Sequence, residues 1–316
     1  MARILCVGDL HVMDKPPAGA TDEYLKDLFA SMRFTATWAN ENDIDAVVWA
    51  GDIFHHKNPA RTSHATVLKV IEVLKTYDMP LFIVTGNHDI SNDVLTSVHE
   101  KQPLGVLFQA GAIELDGWAP HLPLFGVPWQ QDWHEEGAVE RAFEPVRRAE
   151  KKQLPFLTVT HASIFPPNLV EDVPYEHLPA EDIASAMNNR GALYYGHIHE
   201  DHGVFEVDGV TFCNVGALSR GSLHEYNLKR GIHAAVWEDG EFEVIDIPHM
   251  PATDILKVAE HAEKREDKMD LDAFVASVGT SSLDITTTAD IVGYIESMDV
   301  EKKVKARAVR LVEAVQ

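Results

Sequence analysis

Five short apolar runs in this chain break off at side chains able to ligate a metal. Ile4–Val7 stops at Gly8-Asp9, with His11 beyond, and Ala46–Ala50 stops at Gly51-Asp52. Leu81–Val84 leads into Gly86-Asn87-His88-Asp89, Phe156–Thr160 into His161, and Ala192–Tyr195 into Gly196-His197 with His199 beyond. Apolar runs of this length bounded by turn residues read as buried strands. The first three alternate with amphipathic stretches. In Thr21–Asn42, Leu25, Leu28, Phe29, Met32, Phe34 and Trp38 share a broad helical face; in Ser63–Tyr77, Val67, Leu68, Ile71, Val73 and Leu74 do. Strands alternating with helices imply βαβ crossovers and a largely parallel sheet. Ligands of such sheets bind beyond the carboxyl ends of the strands, so residues far apart in sequence are expected to share one site.

The texture changes after Leu104. Ala112–Leu115, Leu124–Val127, Phe156–Thr160, Leu193–Tyr195, Val204–Val207, Val210–Asn214, His233–Trp237 and Phe242–Asp246 read as strands, and Glu135–Lys152 as a helix. Asp208-Gly209 and Asp239-Gly240 sit between alternating runs and are hairpin signals. The second half is therefore expected to be mostly antiparallel, and the two halves suit two packed sheets with helices outside. From about Pro248 the strand signals fade. Asp254–Lys268, Leu271–Val278, Ala289–Met298 and a basic stretch from about Val300 read as short helices. The expected organisation is a domain over 1–247 and a small helical extension over 248–316.

The residue types suit a particular chemistry. Carboxylate, imidazole and amide oxygen together fit Mn, Fe, Co, Ni or Zn, whereas an all-oxygen Mg or Ca site needs fewer histidines. Two ions about 3.5–4 Å apart clamp a phosphate and activate water for in-line attack. Such a pair needs an anionic bridge against mutual repulsion, and Asp52, alone after its strand, is the natural candidate.

Asp9-x-His11, Gly51-Asp52, Gly86–Asp89, the strand-end His161 and Gly196–His199 occur in an order that resembles the calcineurin-like metallophosphoesterase superfamily over roughly residues 3–245. The resemblance implies an α/β fold, a four-layer αββα sandwich. It assigns Asp9, His11 and His199 to one metal and Asn87, His161 and His197 to the other, with Asp52 bridging. It makes His88 a non-ligand that faces the phosphate, stabilising the transition state or protonating the leaving oxygen, and Asp89 the residue that orients it. Repulsion from two cations favours a neutral His88 while Asp89 pulls the other way, a balance suited to proton transfer. Within the superfamily, ILCVGDLHV, GDIFHHK and NVGALSRGS are most similar to the SbcD-like DNA repair nucleases. That branch implies that His55 positions or protonates the leaving strand and that Arg220 contacts the phosphate or DNA backbone. It also implies a C-terminal DNA-capping element and an ATPase partner, although the segment after Pro248 is short for such an element. The expected function is a dinuclear metal-dependent DNA exo- or endonuclease using metal-activated water. Mn²⁺ comes first among the expected ions, with Fe, Co, Ni or Zn as alternatives.

Charge weighs on the substrate. With 27 basic and 50 acidic residues the net charge is −23, and so acidic a surface repels a polyanion unless bound cations or a local basic patch reverse the field. This favours an alternative, a phosphodiesterase for small substrates such as 2′,3′- or 3′,5′-cyclic nucleotides. The loop Ile164–Pro179 directly follows His161 and carries Pro166, Pro167, Pro174 and Pro179 with Glu171, Asp172 and Glu176, so it reads as an acidic substrate wall. A third alternative is a non-catalytic protein-binding scaffold, against which the unbroken ligand set stands. His55 and His56 also read as a solvated loop pair, and Arg220 as a surface turn residue. The helical stretches 21–42 and 63–77 suit a homodimer face as well as a core. Cys6 and Cys213 sit inside apolar runs and read as buried thiols. No run of eighteen apolar residues and no signal-peptide layout is present, so a cytoplasmic protein with no membrane span is expected.

Overall fold

The computed structural model describes residues 2–91, 97–119, 121–149, 156–172, 176–260, 262, 305 and 309. The chain opens with β1 (Arg3–Val7), α1 (Glu23–Glu41), β2 (Ala46–Trp49), α2 (His64–Leu74) and β3 (Leu81–Ile83). It continues through α3 (Ser97–Lys101), α4 (Pro103–Gln109), β4 (Glu114–Leu115), β5 (Gly117–Trp118), β6 (Leu124–Val127), α5 (Ala138–Ala149) and β7 (Leu157–His161). Next come β8 (Ile164–Phe165), β9 (Leu178–Pro179), α6 (Ala180–Ala186), β10 (Gly191–Gly196), β11 (Asp201–Val207) and β12 (Val210–Val215). The described elements end with α7 (Glu225–Lys229), β13 (His233–Glu238), β14 (Glu241–Asp246) and α8 (Ala252–Ile255).

Two six-stranded sheets form, ordered β14-β13-β1-β2-β3-β4 and β11-β12-β10-β7-β6-β5. Strand alternation makes the layers. On β1, Ile4 and Cys6 face the other sheet and pack with Val159, Tyr194, Cys213 and Trp237. Leu5 and Val7 point the opposite way, against Leu28, Met32 and Val70 of α1 and α2. The second sheet's outer face is covered by Phe143 and Val146 of α5 and Ile183 of α6. The order is helix, sheet, sheet, helix, and each buried aliphatic side chain adds about 1.5–3 kcal/mol. The helical stripes at 21–42 and 63–77 are spent on this core, with Leu68 left 59% exposed.

The second half departs from the antiparallel expectation. β6, β7, β10 and β12 are mutually parallel; only β5–β6 and β11–β12 in that sheet are antiparallel. The Asp-Gly turns govern only the hairpins they close, while α5 and α6 act as crossovers. After β12 the chain leaves its sheet, and β13 pairs antiparallel with β1 of the first.

A first compact unit runs over Met1–Leu256 and a second over Lys257–Gln316. The first therefore extends past the expected boundary at 247, because Thr21 N–H donates to the Ile255 carbonyl and Leu256 bridges Ala20. The expected helix Asp254–Lys268 is interrupted by that bridge at Leu256. The expected helices Leu271–Val278 and Ala289–Met298 lie outside the described residues, as does most of the stretch after Val300.

Candidate metal centre

The parallel strands β1, β2 and β3 end side by side, and β7 and β10 end opposite them in the second sheet. Backbone bonds stitch the loops together. His11 N–H donates to the Asp52 carbonyl at 2.8 Å and Val12 N–H to Ile53 at 2.8 Å; both Asp9 carboxylate oxygens lie within 3.2 Å of His197 N–H. Three non-glycine residues here, His11 (φ 50°), Asp52 (φ 50°) and His197 (φ 85°), adopt left-handed backbone. Such conformations cost about 1–3 kcal/mol each and concentrate at functional sites. Gly86 lets the loops close: a Cβ there would stand 2.2 Å from Asp52 Oδ1.

The donor atoms gather into two nests. In one, His11 Nε2 is 2.9 Å from His199 Nε2, and Asp9 Oδ2 is 3.3 Å from His199 Nε2. In the other, Asn87 Oδ1 is 3.0 Å from His161 Nε2 and 3.1 Å from His197 Nδ1. Asp52 Oδ2 belongs to both, 3.5 Å from His11 Nε2 and 3.4 Å from His161 Nε2. Ligands about 2.1 Å from a common ion lie about 3.0–3.4 Å apart, so this spacing suits coordination.

The charges fit as well. Asp9 and Asp52 are 1% and 2% exposed, and their described ion-pair partners are histidines alone. Burial opposes their ionisation, but His161 leads the neighbours that outweigh it and hold both below the usual carboxylate range. Buried carboxylates of this kind require compensating cations. Burial pushes His11 down to about 3 and His197 to about 4, keeping both imidazoles neutral with a lone pair to give. Burial alone would depress His161, yet Asp52 and Asp9 hold it up at about 9, so a proton balances the charge where a cation would sit. His161 Nδ1 donates to the Ala50 carbonyl at 2.7 Å, which aims Nε2 into the nest.

The His88 ring lies 4.9 Å from the His11 ring, at the edge of the first nest, and His11, His55 and His88 together form a further group able to hold a cation. The His88 backbone N–H donates to Asp52 Oδ1 at 2.8 Å and its ring Nδ1 meets the His55 carbonyl. Asp89, expected to orient His88, meets backbone donors in this structure. The Asp89 carboxylate accepts Ile53 N–H at 3.2 Å and Gly86 N–H at 3.0 Å, tying two loops, and the His55 carbonyl sets the His88 ring. The His55 ring lies 5.5 Å from His88 and 5.4 Å from His11, half-buried and lining the cavity.

Arg220, expected to contact phosphate or DNA, lies inside the protein. It is 3% exposed, 3.3 Å from Asp27 and bonded to the Met250 carbonyl. Its guanidinium clamps α1 to the segment just before α8. The loop 164–179 supplies no described lining residue of the cavity over the nests, because Ile164 and Leu178 are drawn into the core beneath α6. The wall comes instead from Met13, Pro17, Tyr24, Ser219, Gly221, Ser222 and Asn227. Trp129, 4.8 Å from the His197 ring and 6.0 Å from His161, flanks the second nest. None of these carries a sequence signal; proximity made them part of the site.

Two layered sheets with paired donor nests beyond their strand ends define a class of metal-dependent hydrolase. Residues 2–201 match the calcineurin-like phosphoesterase family, to which this chain belongs; it is a metal-dependent phosphoesterase. A DNA double-strand break repair protein Mre11 of Archaeoglobus fulgidus is 24% identical over 220 residues, 63% of this chain and 46% of the relative. The Mre11 of Methanosarcina acetivorans is 30% identical over 97 residues, 31% of this chain and 15% of the relative. The matches thus span under half the length of these relatives. A dimetal phosphatase structure from Danio rerio aligns over 78% of this chain and 99% of its own, at 13% identity and a TM-score of 0.51, a likeness of fold. No helix among the described residues is long and apolar enough to cross a membrane.

Proposed function

We propose that this chain is a dinuclear phosphodiesterase acting on DNA, as an SbcD-like nuclease. The observation that carries the dinuclear reading is Asp52 Oδ2, shared between two donor nests. Asp9, His11 and His199 would hold one divalent ion and Asn87, His161 and His197 the other, with Asp52 between them and Mn²⁺ the preferred metal. Bound there, the two ions would polarise the phosphate and lower the pKa of water. The protein's part is to hold these donors at fixed spacing and to manage the leaving oxygen. A carbonyl only accepts, so His88 Nδ1 carries the hydrogen toward His55 and Nε2 is left to exchange a proton with the substrate. His55, pushed down to about 4 by burial and by His88, adds a neutral imidazole beside it.

The Mre11 relatives support DNA as the substrate. A second reading, hydrolysis of small diesters, draws on one observation: no lysine or arginine among the described residues lines the cavity. Both are tested by stripping the protein of metal and reloading it with Mn²⁺. Bis-p-nitrophenyl phosphate, cyclic nucleotides, and single- and double-stranded DNA are then assayed beside Asp52→Ala. DNA cleavage abolished in the variant is expected. Turnover of small diesters alone would move the assignment to the second reading, and silence on every substrate would overturn both.

A further inference from the structure

Asn214, near the end of β12, is a polar side chain only 1% exposed. Its amide nitrogen donates to the Tyr195 carbonyl at 3.0 Å and the Ile198 carbonyl at 3.1 Å, and its oxygen accepts Gly216 N–H at 2.8 Å. Two carbonyls on one side and an N–H on the other leave a single way round for the amide. The carbonyls come from either side of His197, which holds left-handed backbone at φ 85°. A residue kept in that region needs its surroundings to fix it, and Asn214 grips the chain before and after it.

The consequences reach both nests. His197 belongs to the second nest, and His199, the residue after Ile198, to the first. Gly216 adopts φ 75°, and a Cβ there would stand 2.7 Å from the His199 carbonyl. Beyond it, Ala217 N–H donates to that carbonyl at 3.2 Å and Leu218 N–H to the Asp9 carbonyl at 2.9 Å. Across from Asn214, the register of β11 shifts between Asp201 and Gly203, just where the His197–His199 turn enters the sheet. Bulges of this kind re-aim side chains beside active sites. Asn214 is not among the described residues lining the cavity, and its described bonds are all to backbone.

We infer that Asn214 is a positioning residue for the dinuclear centre: one buried amide fixes the His197–His199 turn and with it the spacing between the two nests. The inference rests on the dinuclear phosphodiesterase reading and adds to it a residue that acts only through the backbone of the turn carrying two ligands.

Asn214→Asp keeps the shape and the bond from Gly216 but sets a carboxylate against two carbonyls. Asn214→Ser removes the amide without adding charge, and takes its place should the first variant not fold. Each protein is loaded with Mn²⁺ and read by electron paramagnetic resonance, in which ions about 3.5–4 Å apart couple and separated ions give the spectrum of isolated Mn²⁺. The wild type is expected to show a coupled pair, and the folded variants mostly isolated ions. Their kcat for bis-p-nitrophenyl phosphate is expected to fall about hundredfold, the cost of a misplacement of about 1 Å, with KM held within about threefold. An amide that only stabilised the fold would lower the melting temperature and leave coupling and kcat as in the wild type. That result overturns the inference and leaves the dinuclear reading standing. A wild type without a coupled pair removes the dinuclear reading, and the inference with it.

Discussion

Asp52 does more than its two-residue motif suggests. One oxygen sits between two nests, the other accepts His88 N–H, and its carbonyl accepts His11 N–H. Arg220 shows the reverse case, a residue placed in a suggestive turn whose role is internal. Arg220→Ala would leave Asp27 buried without its cation, and urea unfolding should register a loss of about 3–5 kcal/mol. The folded variant should keep its KM for bis-p-nitrophenyl phosphate within about twofold; a KM raised tenfold would return Arg220 to the substrate. His202 supplies a pH test away from the nests. Its Nδ1 lies 2.7 Å from the Tyr195 hydroxyl and its Nε2 is buried without a partner. Burial holds its imidazole down at about 4, against an ordinary value of 6.5. The proton therefore prefers the unfolded chain: the stabilisation is complete above pH 6.5 and is lost as pH falls toward 4. By pH 5 the wild type should lose about 1–2 kcal/mol that His202→Gln does not, read from melting curves of both proteins at pH 7.5 and 5.

At the scale of elements, loops rather than strands make the site, and a few side chains tie the loops. Asp89 joins the turn after β2 to the turn after β3 through Ile53 and Gly86. Asp89→Ala leaves both buried N–H groups unpaired, so a fall of about 2–4 kcal/mol in unfolding free energy is expected. Asp89→Asn retains one acceptor oxygen and should lose less; equal losses in the two variants would show that the two bonds are not what Asp89 contributes.

For the whole molecule, net charge and local site pull apart. A chain of −23 carries two buried carboxylates whose described partners are histidines, so divalent ions should stabilise the fold as well as enable chemistry. A metal at one hundred times its dissociation constant adds about 2.7 kcal/mol, which for a domain of this size raises the melting temperature by about 5 °C. Scanning calorimetry of stripped and Mn²⁺-reloaded protein should show that rise, reversed by chelator and missing in Asp52→Ala; equal melting temperatures would count against cation binding at the nests. The sequence by itself determined the strand ends and their donors, because a ligand motif and the apolar run before it are local signals: Asp9, His11, Asn87, His161, His197 and His199 were legible before any fold was known. It also determined the helical faces of α1 and α2. The parallel pairing of β7 with β10, the return of β13 to β1, the burial of Arg220 and the wall from Tyr24 to Ser222 were decided only by the tertiary structure. Pairing partners and cavity walls depend on which distant segments meet, and an Asp-Gly turn or an arginine after a glycine has the same local chemistry whichever segment lies opposite.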